Sequence, residues 1–151
     1  MAGTNDLITE LTNAYWAELE TVINYLSSSV NLDGVRAEEI KKSLAADVTE
    51  ELGHAQMLAK RIKELGGTIP GSMDFKREQR SLQPGKDTTD VVNVIKGVLE
   101  AEESAIAQYR KIIKMCEGED YVTQDLCIDI LSNEETHRSL FHGFSLEYSK
   151  K

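Results

Sequence analysis

Two prolines, two cysteines and one tryptophan are all that these 151 residues hold of those types, and each shortage excludes something. Cys116 and Cys127 form no CxxC pair, so a tetracysteine metal centre is excluded and a disulfide framework is not expected; the two read as buried, inert thiols. Pro70 and Pro84 fall in one stretch near the middle, which leaves long segments without a breaker on either side. No apolar run approaches the ~20 residues a membrane span needs. The start, Met1-Ala2-Gly3-Thr4-Asn5-Asp6, shows neither the basic nor the apolar region of a leader, and a cytoplasmic location is expected. Basic residues are in deficit, 17 against 26 acids, for a net charge of −9. Phosphate repulsion then argues against a nucleic-acid partner, and Lys150-Lys151 is a poor substitute for a lysine-rich arm. The same field concentrates small cations, although acidity also serves solubility, and charge alone does not separate the two.

The long segments are rich in Ala, Leu, Ile, Glu and Lys, and predict an all-α domain covering 1–151. Four helices are expected, over about 5–30, 36–65, 88–116 and 121–148. Thr4 or Asn5 is expected to cap the first and Asp87 the third, with Asp90 in the third helix's first turn. Gly66-Gly67 supplies a left-handed stop for the second. The first two helices are joined by a short turn at Asn31–Gly34, and the last two by Gly118-Glu119-Asp120. The stretch 66–86, with both prolines, reads as a long connection of little regular structure. Two antiparallel hairpins joined by one long crossover follow.

Apolar residues at alternating spacings of three and four mark a core seam on each helix. One seam runs Leu11, Tyr15, Glu18, Val22, Tyr25, the next Leu44, Val48, Glu51, Ala55, Leu58. The third runs Val98, Glu102, Ala105, Tyr109 and the fourth Cys127, Ile130, Glu134, His137, Phe141. Each is broken by one glutamate. Four isolated carboxylates in one core are costly unless paired, neutralised or bound to metal. Their heights agree: Glu18 and Glu51 lie 16 and 17 residues from Gly34, and Glu102 and Glu134 lie 17 and 15 from Glu119. At ~1.5 Å per residue each sits roughly 23–26 Å from its turn. His54 and His137 follow Glu51 and Glu134 by three residues, on the same helix face. With 26 acids among 151 residues, about one histidine in six would have such an acid by chance. Two such pairs, each facing a glutamate on its hairpin partner, are a far stronger signal. Glu20, Glu50, Glu103 and Glu135 stand one or two positions off the seams and are set aside as ligands.

Over roughly residues 7 to 144 the chain resembles the bacterioferritin branch of the ferritin-like superfamily. The resemblance rests on Glu18-Leu19 with Tyr25, Glu51-Leu52-Gly53-His54-Ala55, Glu102 with Tyr109-Arg110, and Asn133-Glu134-Glu135-Thr136-His137. It implies a ferritin-like four-helix bundle holding two iron ions, for which manganese or zinc could substitute. In it Glu51 and Glu134 bridge the two ions, Glu18 with His54 and Glu102 with His137 complete the sites, and Tyr25 and Tyr109 donate hydrogen bonds to the carboxylates or simply pack. Leu52 stands where bacterioferritins place the methionine that ligates haem, so haem is not expected. About fourteen residues follow His137, and no fifth helix is expected. A homo-oligomer, a dimer or small shell, is the implied assembly. The long connection, with Leu65-Gly66-Gly67-Thr68-Ile69-Pro70, is similar to that of Dps-like proteins with a bacterioferritin-type site.

The expected activity is that of a ferroxidase, oxidising Fe(II) with oxygen or hydrogen peroxide for iron storage or detoxification. Its rivals are a rubrerythrin-like peroxidase fed by a separate electron donor, and a non-catalytic storage or structural shell. His142 lacks a glutamate three residues before it and stands outside the motif. Trp16, off the main seam, is expected at a subunit contact or at the rim of the core.

Overall fold

Four helices form where the uninterrupted segments lie: α1 (Thr4–Asn31), α2 (Glu38–Glu64), α3 (Val91–Met115) and α4 (Tyr121–Tyr148). The computed structural model describes residues 3–149, so Lys150 and Lys151 lie outside the described residues. α1 pairs with α2 and α3 with α4; α1 then packs on α3 and α2 on α4, which closes the bundle. The fold is all-α and built of two hairpins, as the sequence implies. None of the described helices is long and apolar enough to cross a membrane.

The helix starts differ in detail from expectation. Gly3, not Thr4 or Asn5, occupies the cap of α1, and its amide donates to Asp6 at 3.4 Å. Arg36 falls in a single 3-10 turn, Val35–Ala37, that leads into α2. The cap of α3 is Asp90, which accepts from the Asn93 amide at 3.1 Å. Asp87 instead folds a turn before the helix, its Oδ1 accepting from the amide and hydroxyl of Thr89. Two aspartates three apart both suit a cap, and the turn at Asp87 decides between them. At the end of α2, Gly66 takes φ 90°, and its amide and that of Gly67 close on the carbonyls of Lys63 and Ile62. This is the left-handed stop that only glycine takes without strain.

Across the connection between α2 and α3, regular structure is confined to the 3-10 turn Ser72–Asp74. It nevertheless binds tightly to α1. Glu20, which is 7 % exposed, accepts from the backbone amides of Glu78 and Gln79 at 2.9–3.0 Å. The Gln79 side chain donates to Thr21 and accepts from Asn24. Trp16 is buried beneath the same strap, edge to face with Phe75 at 5.1 Å, and is therefore covered by its own chain. Further on, Leu82 lies over Gly97 so closely that a Cβ there would stand 3.0 Å from the leucine side chain. Removing Glu20 leaves two amides without their acceptor, a loss of about 1–3 kcal/mol. Glu20→Ala should lower the unfolding free energy by that amount in a denaturant titration, and an unchanged midpoint would show that the strap is not held there.

The core is split along the bundle. One apolar cluster gathers Tyr25, Ile40, Leu44, Ile95, Val98 and Phe141; the other gathers Leu11, Leu58, Ile62, Ile112, Cys127 and Ile130. Between them in the helix sequences lie the glutamates and histidines of the four seams.

Candidate metal centre

Glu18 from α1, Glu51 and His54 from α2, Glu102 from α3, and Glu134 and His137 from α4 meet in that interior layer. None is more than 5 % exposed. Their donor atoms form two overlapping groups, Glu18–Glu51–His54–Glu134 and Glu51–Glu102–Glu134–His137, with the atoms of each group within 4.8 Å of one another. Glu51 and Glu134 belong to both. His54 Nδ1 lies 3.1 Å from Glu134, 3.5 Å from Glu51 and 3.7 Å from Glu18. His137 Nδ1 lies 3.1 Å from Glu51 and 3.6 Å from Glu102. The structure thus brings together all six residues singled out in the sequence.

Two tyrosines orient the carboxylates that belong to a single group. Tyr25 on α1 donates to Glu102 Oε1 on α3 at 2.6 Å, and Tyr109 on α3 donates to Glu18 Oε1 on α1. Each bond crosses from one hairpin to the other and fixes one carboxylate oxygen, leaving Oε2 for the interior. Burial, reinforced by the neighbouring glutamates, pushes both phenols well above their usual pKa, so they remain donors.

Electrostatically the cluster is crowded. Burial first, then the other carboxylates, pushes Glu134 up to about 11. Burial and Glu51 likewise raise Glu18 well above the carboxylate range. Glu51 goes the other way: burial works against it, but the neighbouring Glu18 carboxyl and the His137 and His54 imidazoles outweigh burial and hold it ionised. Burial alone would depress both histidines, yet the surrounding carboxylates win and push each up to about 12. Without metal, protons do the work of cations here.

Buried atoms without a hydrogen-bond partner test whether the residues fit a metal pair. They include both oxygens of Glu51, Oε2 of Glu102, Oε1 of Glu134, and Nδ1 of His54 and of His137. Orphaned polar atoms are rare in protein interiors, and these belong to one set of hard carboxylate and borderline imidazole donors. The donor set fits two divalent transition ions.

Three of the four off-seam glutamates point elsewhere. Glu20 holds the strap, Glu103 pairs with Arg138, and Glu135 with Arg110. Glu50 reaches His137 Nε2 at 2.8 Å, and Asp47 stands 3.4 Å from the same nitrogen. Asp47 escaped notice in the sequence, although its place four before Glu51 puts it on the same helix face. Burial, partly relieved by His137, pushes it up to about 7. His54 Nε2 meets the Asn133 side-chain amide at 3.2 Å. Cys116 and Cys127 are free and buried in the second apolar cluster, where burial pushes them up to about 11 and about 12, away from thiolate chemistry.

A cleft of about 740 Å³ opens beneath the strap, with α1 and α3 contributing its walls. Its lining includes Trp16, Gln79 and Lys111, and also the buried Glu18 and Glu134. Lys111 is paired across the cleft with Glu10 at 2.7 Å.

Known proteins agree with this geometry. Residues 8–144 match the family model of the ferritin-like domain. The chain is 31 % identical over 140 residues to the DNA protection during starvation protein of Pyrococcus furiosus, covering 89 % of this chain and 74 % of that one. It is 27 % identical over 151 residues to the bacterioferritin of Desulfovibrio desulfuricans, covering 95 % and 79 %. A solved structure of that bacterioferritin, described with its diiron site in different catalytic states, superposes with a TM-score of 0.80 at 24 % identity, covering 95 % and 83 %. The bacterioferritin-related dodecameric thioferritin of Bacteroides fragilis superposes with a TM-score of 0.89 at 23 % identity, covering 97 % and 88 %. The buried Glu/His cluster resembles a dinuclear metal site, and the chain belongs to the ferritin-like family.

Proposed function

We propose that this protein is a ferroxidase whose substrate Fe(II) binds as a pair among Glu18, Glu51, His54, Glu102, Glu134 and His137. The observation that carries the reading is the convergence of orphaned carboxylate and imidazole atoms into two groups sharing Glu51 and Glu134. Two ferrous ions held side by side can each give one electron to oxygen or hydrogen peroxide. The chain's own part is to hold them: Glu51 and Glu134 reach both positions, Glu18 and His54 serve one, and Glu102 and His137 the other. Tyr25 and Tyr109 keep the end carboxylates from swinging out. So many anionic oxygens favour the more highly charged ferric product, and the apolar clusters close the layer off at its two ends along the bundle. Manganese or zinc suits the same donors. We further propose a cytoplasmic homo-oligomer, in keeping with the dodecameric relative. The name of the archaeal relative speaks of DNA protection, but a net charge of −9 opposes a DNA-bound role for this chain.

Anaerobic loading with two Fe(II) per chain, followed by mixing with oxygen or with hydrogen peroxide, tests this. A fast ferric absorbance phase of two iron ions per chain is expected, absent from protein preloaded with Zn(II). Oxidation no faster than in protein-free buffer would end the ferroxidase reading. Sustained peroxide turnover only with an added protein reductant would favour the rubrerythrin-like alternative.

A further inference from the structure

The two halves of the centre are built alike up to the outer nitrogens of their histidines. Each has one end glutamate held by a tyrosine from the opposite hairpin, one histidine presenting Nδ1, and a share in Glu51 and Glu134. At Nε2 they part. His54 Nε2 meets the neutral amide of Asn133. His137 Nε2 faces two carboxylates, Glu50 at 2.8 Å and Asp47 at 3.4 Å. Asp47 is 6 % exposed, and its Oδ2 has no hydrogen-bond partner, a costly arrangement for a buried acid. A carboxylate accepting the outer N–H of a ligating imidazole fixes its tautomer and makes the inner nitrogen a stronger donor; a neutral amide does this far less. Access differs in the same sense. The cleft under the strap is lined by Glu18, which belongs to the His54 group alone, and by the shared Glu134, but by neither Glu102 nor His137.

We propose that Asp47 and Glu50 are positioning residues that make the two metal positions unequal: the His137 position retains its ion, while the His54 position, open to the cleft, is the one that exchanges. The inference rests on the two-metal reading above and adds an order to it. The ion beside Glu102 and His137 binds first and stays. The ion beside Glu18 and His54 arrives through the cleft, and its ferric product leaves the same way. The retained ion, oxidised with it, is returned to the ferrous state by a further substrate Fe(II), so two Fe(II) are still oxidised for every two electrons the oxidant takes. The half-sites then divide the labour between anchor and turnover.

Titration of Co(II) alone into the metal-free protein, followed by calorimetry and the visible cobalt bands, tests this without turnover. Two steps differing by about tenfold or more are expected, because outer partners of metal-bound histidines are worth about 10–100-fold in affinity. His137→Ala should remove the tight step and His54→Ala the weak one. Asp47→Asn/Glu50→Gln should weaken the tight step by about 10–100-fold and leave the weak step in place, whereas Asn133→Asp should tighten the weak step. Both variants replace side chains by near-isosteres, and an unchanged circular dichroism spectrum without metal separates their effect from misfolding. Two equal steps in the unaltered protein, or an equal weakening of both by the double substitution, would overturn the inequality while leaving the metal pair intact. Fewer than two Co(II) per chain at saturation would overturn the two-metal reading, and this inference with it.

Discussion

Glu134→Gln is expected to raise the melting temperature of the metal-free protein at pH 8 while abolishing the rise that metal produces. Burial and the neighbouring carboxylates push Glu134 up to about 11, so without metal it sits in the fold as a neutral acid. In the unfolded chain it ionises near 4.5. A carboxyl whose folded pKa is raised binds its proton more tightly in the native state. Its contribution is therefore a penalty that begins as pH rises past 4.5, grows at about 1.4 kcal/mol per pH unit, and levels off above about 11. Glutamine has the shape of the neutral acid and no proton to retain, and its oxygen can still face His54 Nδ1, 3.1 Å from Glu134 Oε1. Taking a gain of about 1–3 kcal/mol after relaxation, and about 2–4 °C per kcal/mol for a chain of this size, the metal-free midpoint should rise by about 2–10 °C. The difference should vanish near pH 4. Unaltered protein should gain about 2.7 kcal/mol of stability when free metal stands at a hundred times its dissociation constant, by mass action. The variant, lacking a carboxylate common to both positions, should gain little, and its fast Fe(II) oxidation should fall by about a hundredfold, in line with outer limits for lost metal affinity. Scanning calorimetry with and without Zn(II), at pH 4 and pH 8, reads the first two effects. A destabilised variant at pH 8 would show that Glu134 is ionised in the fold.

The convergence of the six residues could be read from sequence because helix geometry is local and regular. Apolar spacing places Glu18, Glu51, Glu102 and Glu134 on core faces, and counting residues from the two turns places them at one level. The structure brings these four together with His54 and His137. What stayed hidden depends on contacts between distant segments. Glu20 could be excluded as a ligand by its angle on the helix, but nothing local says that it holds the amides of Glu78 and Gln79, because an irregular strap has no period. Trp16 looked like a rim or contact residue because the chain that covers it, with Phe75, arrives from that strap. Asp47 shares the face of Glu51, but Val48 fills the seam position beside it, so apolar spacing alone gives no sign of a second acid one turn away. The choice of Asp90 over Asp87 as the cap of α3 was undecidable from composition, because both residue types and both spacings are suitable.

Loading the centre with two divalent ions at pH 7 should release about three protons or more. In the metal-free fold His54 and His137 are each pushed up to about 12, Glu134 to about 11, and Glu18 is raised well above its ordinary range. His54, His137 and Glu134 hold their protons at neutral pH, and the raised Glu18 adds to them, as a cluster rather than as independent sites. The same residues with unperturbed values near 6.5 and 4.5 would release less than one in total. Fully deprotonated, four glutamates carry four negative charges, which two divalent ions cancel, so metal takes over the charge compensation that protons supply without it. Two consequences carry definite signs. The overall affinity for the pair should climb by about three decades or more per pH unit around neutrality, since each proton displaced adds one power of the proton concentration. The stability of the metal-free protein should run the opposite way. The raised histidines contribute fully below pH 6.5, and that contribution is lost as pH rises towards about 12. Metal-free protein is thus most secure in mild acid, where it binds metal worst, and loaded protein gains its advantage above neutrality. Calorimetric titration of Zn(II) in buffers of different ionisation enthalpy counts the protons directly. A release near zero at pH 7 would mean that the carboxylates stand ionised side by side without metal, and that something other than protons holds this core together.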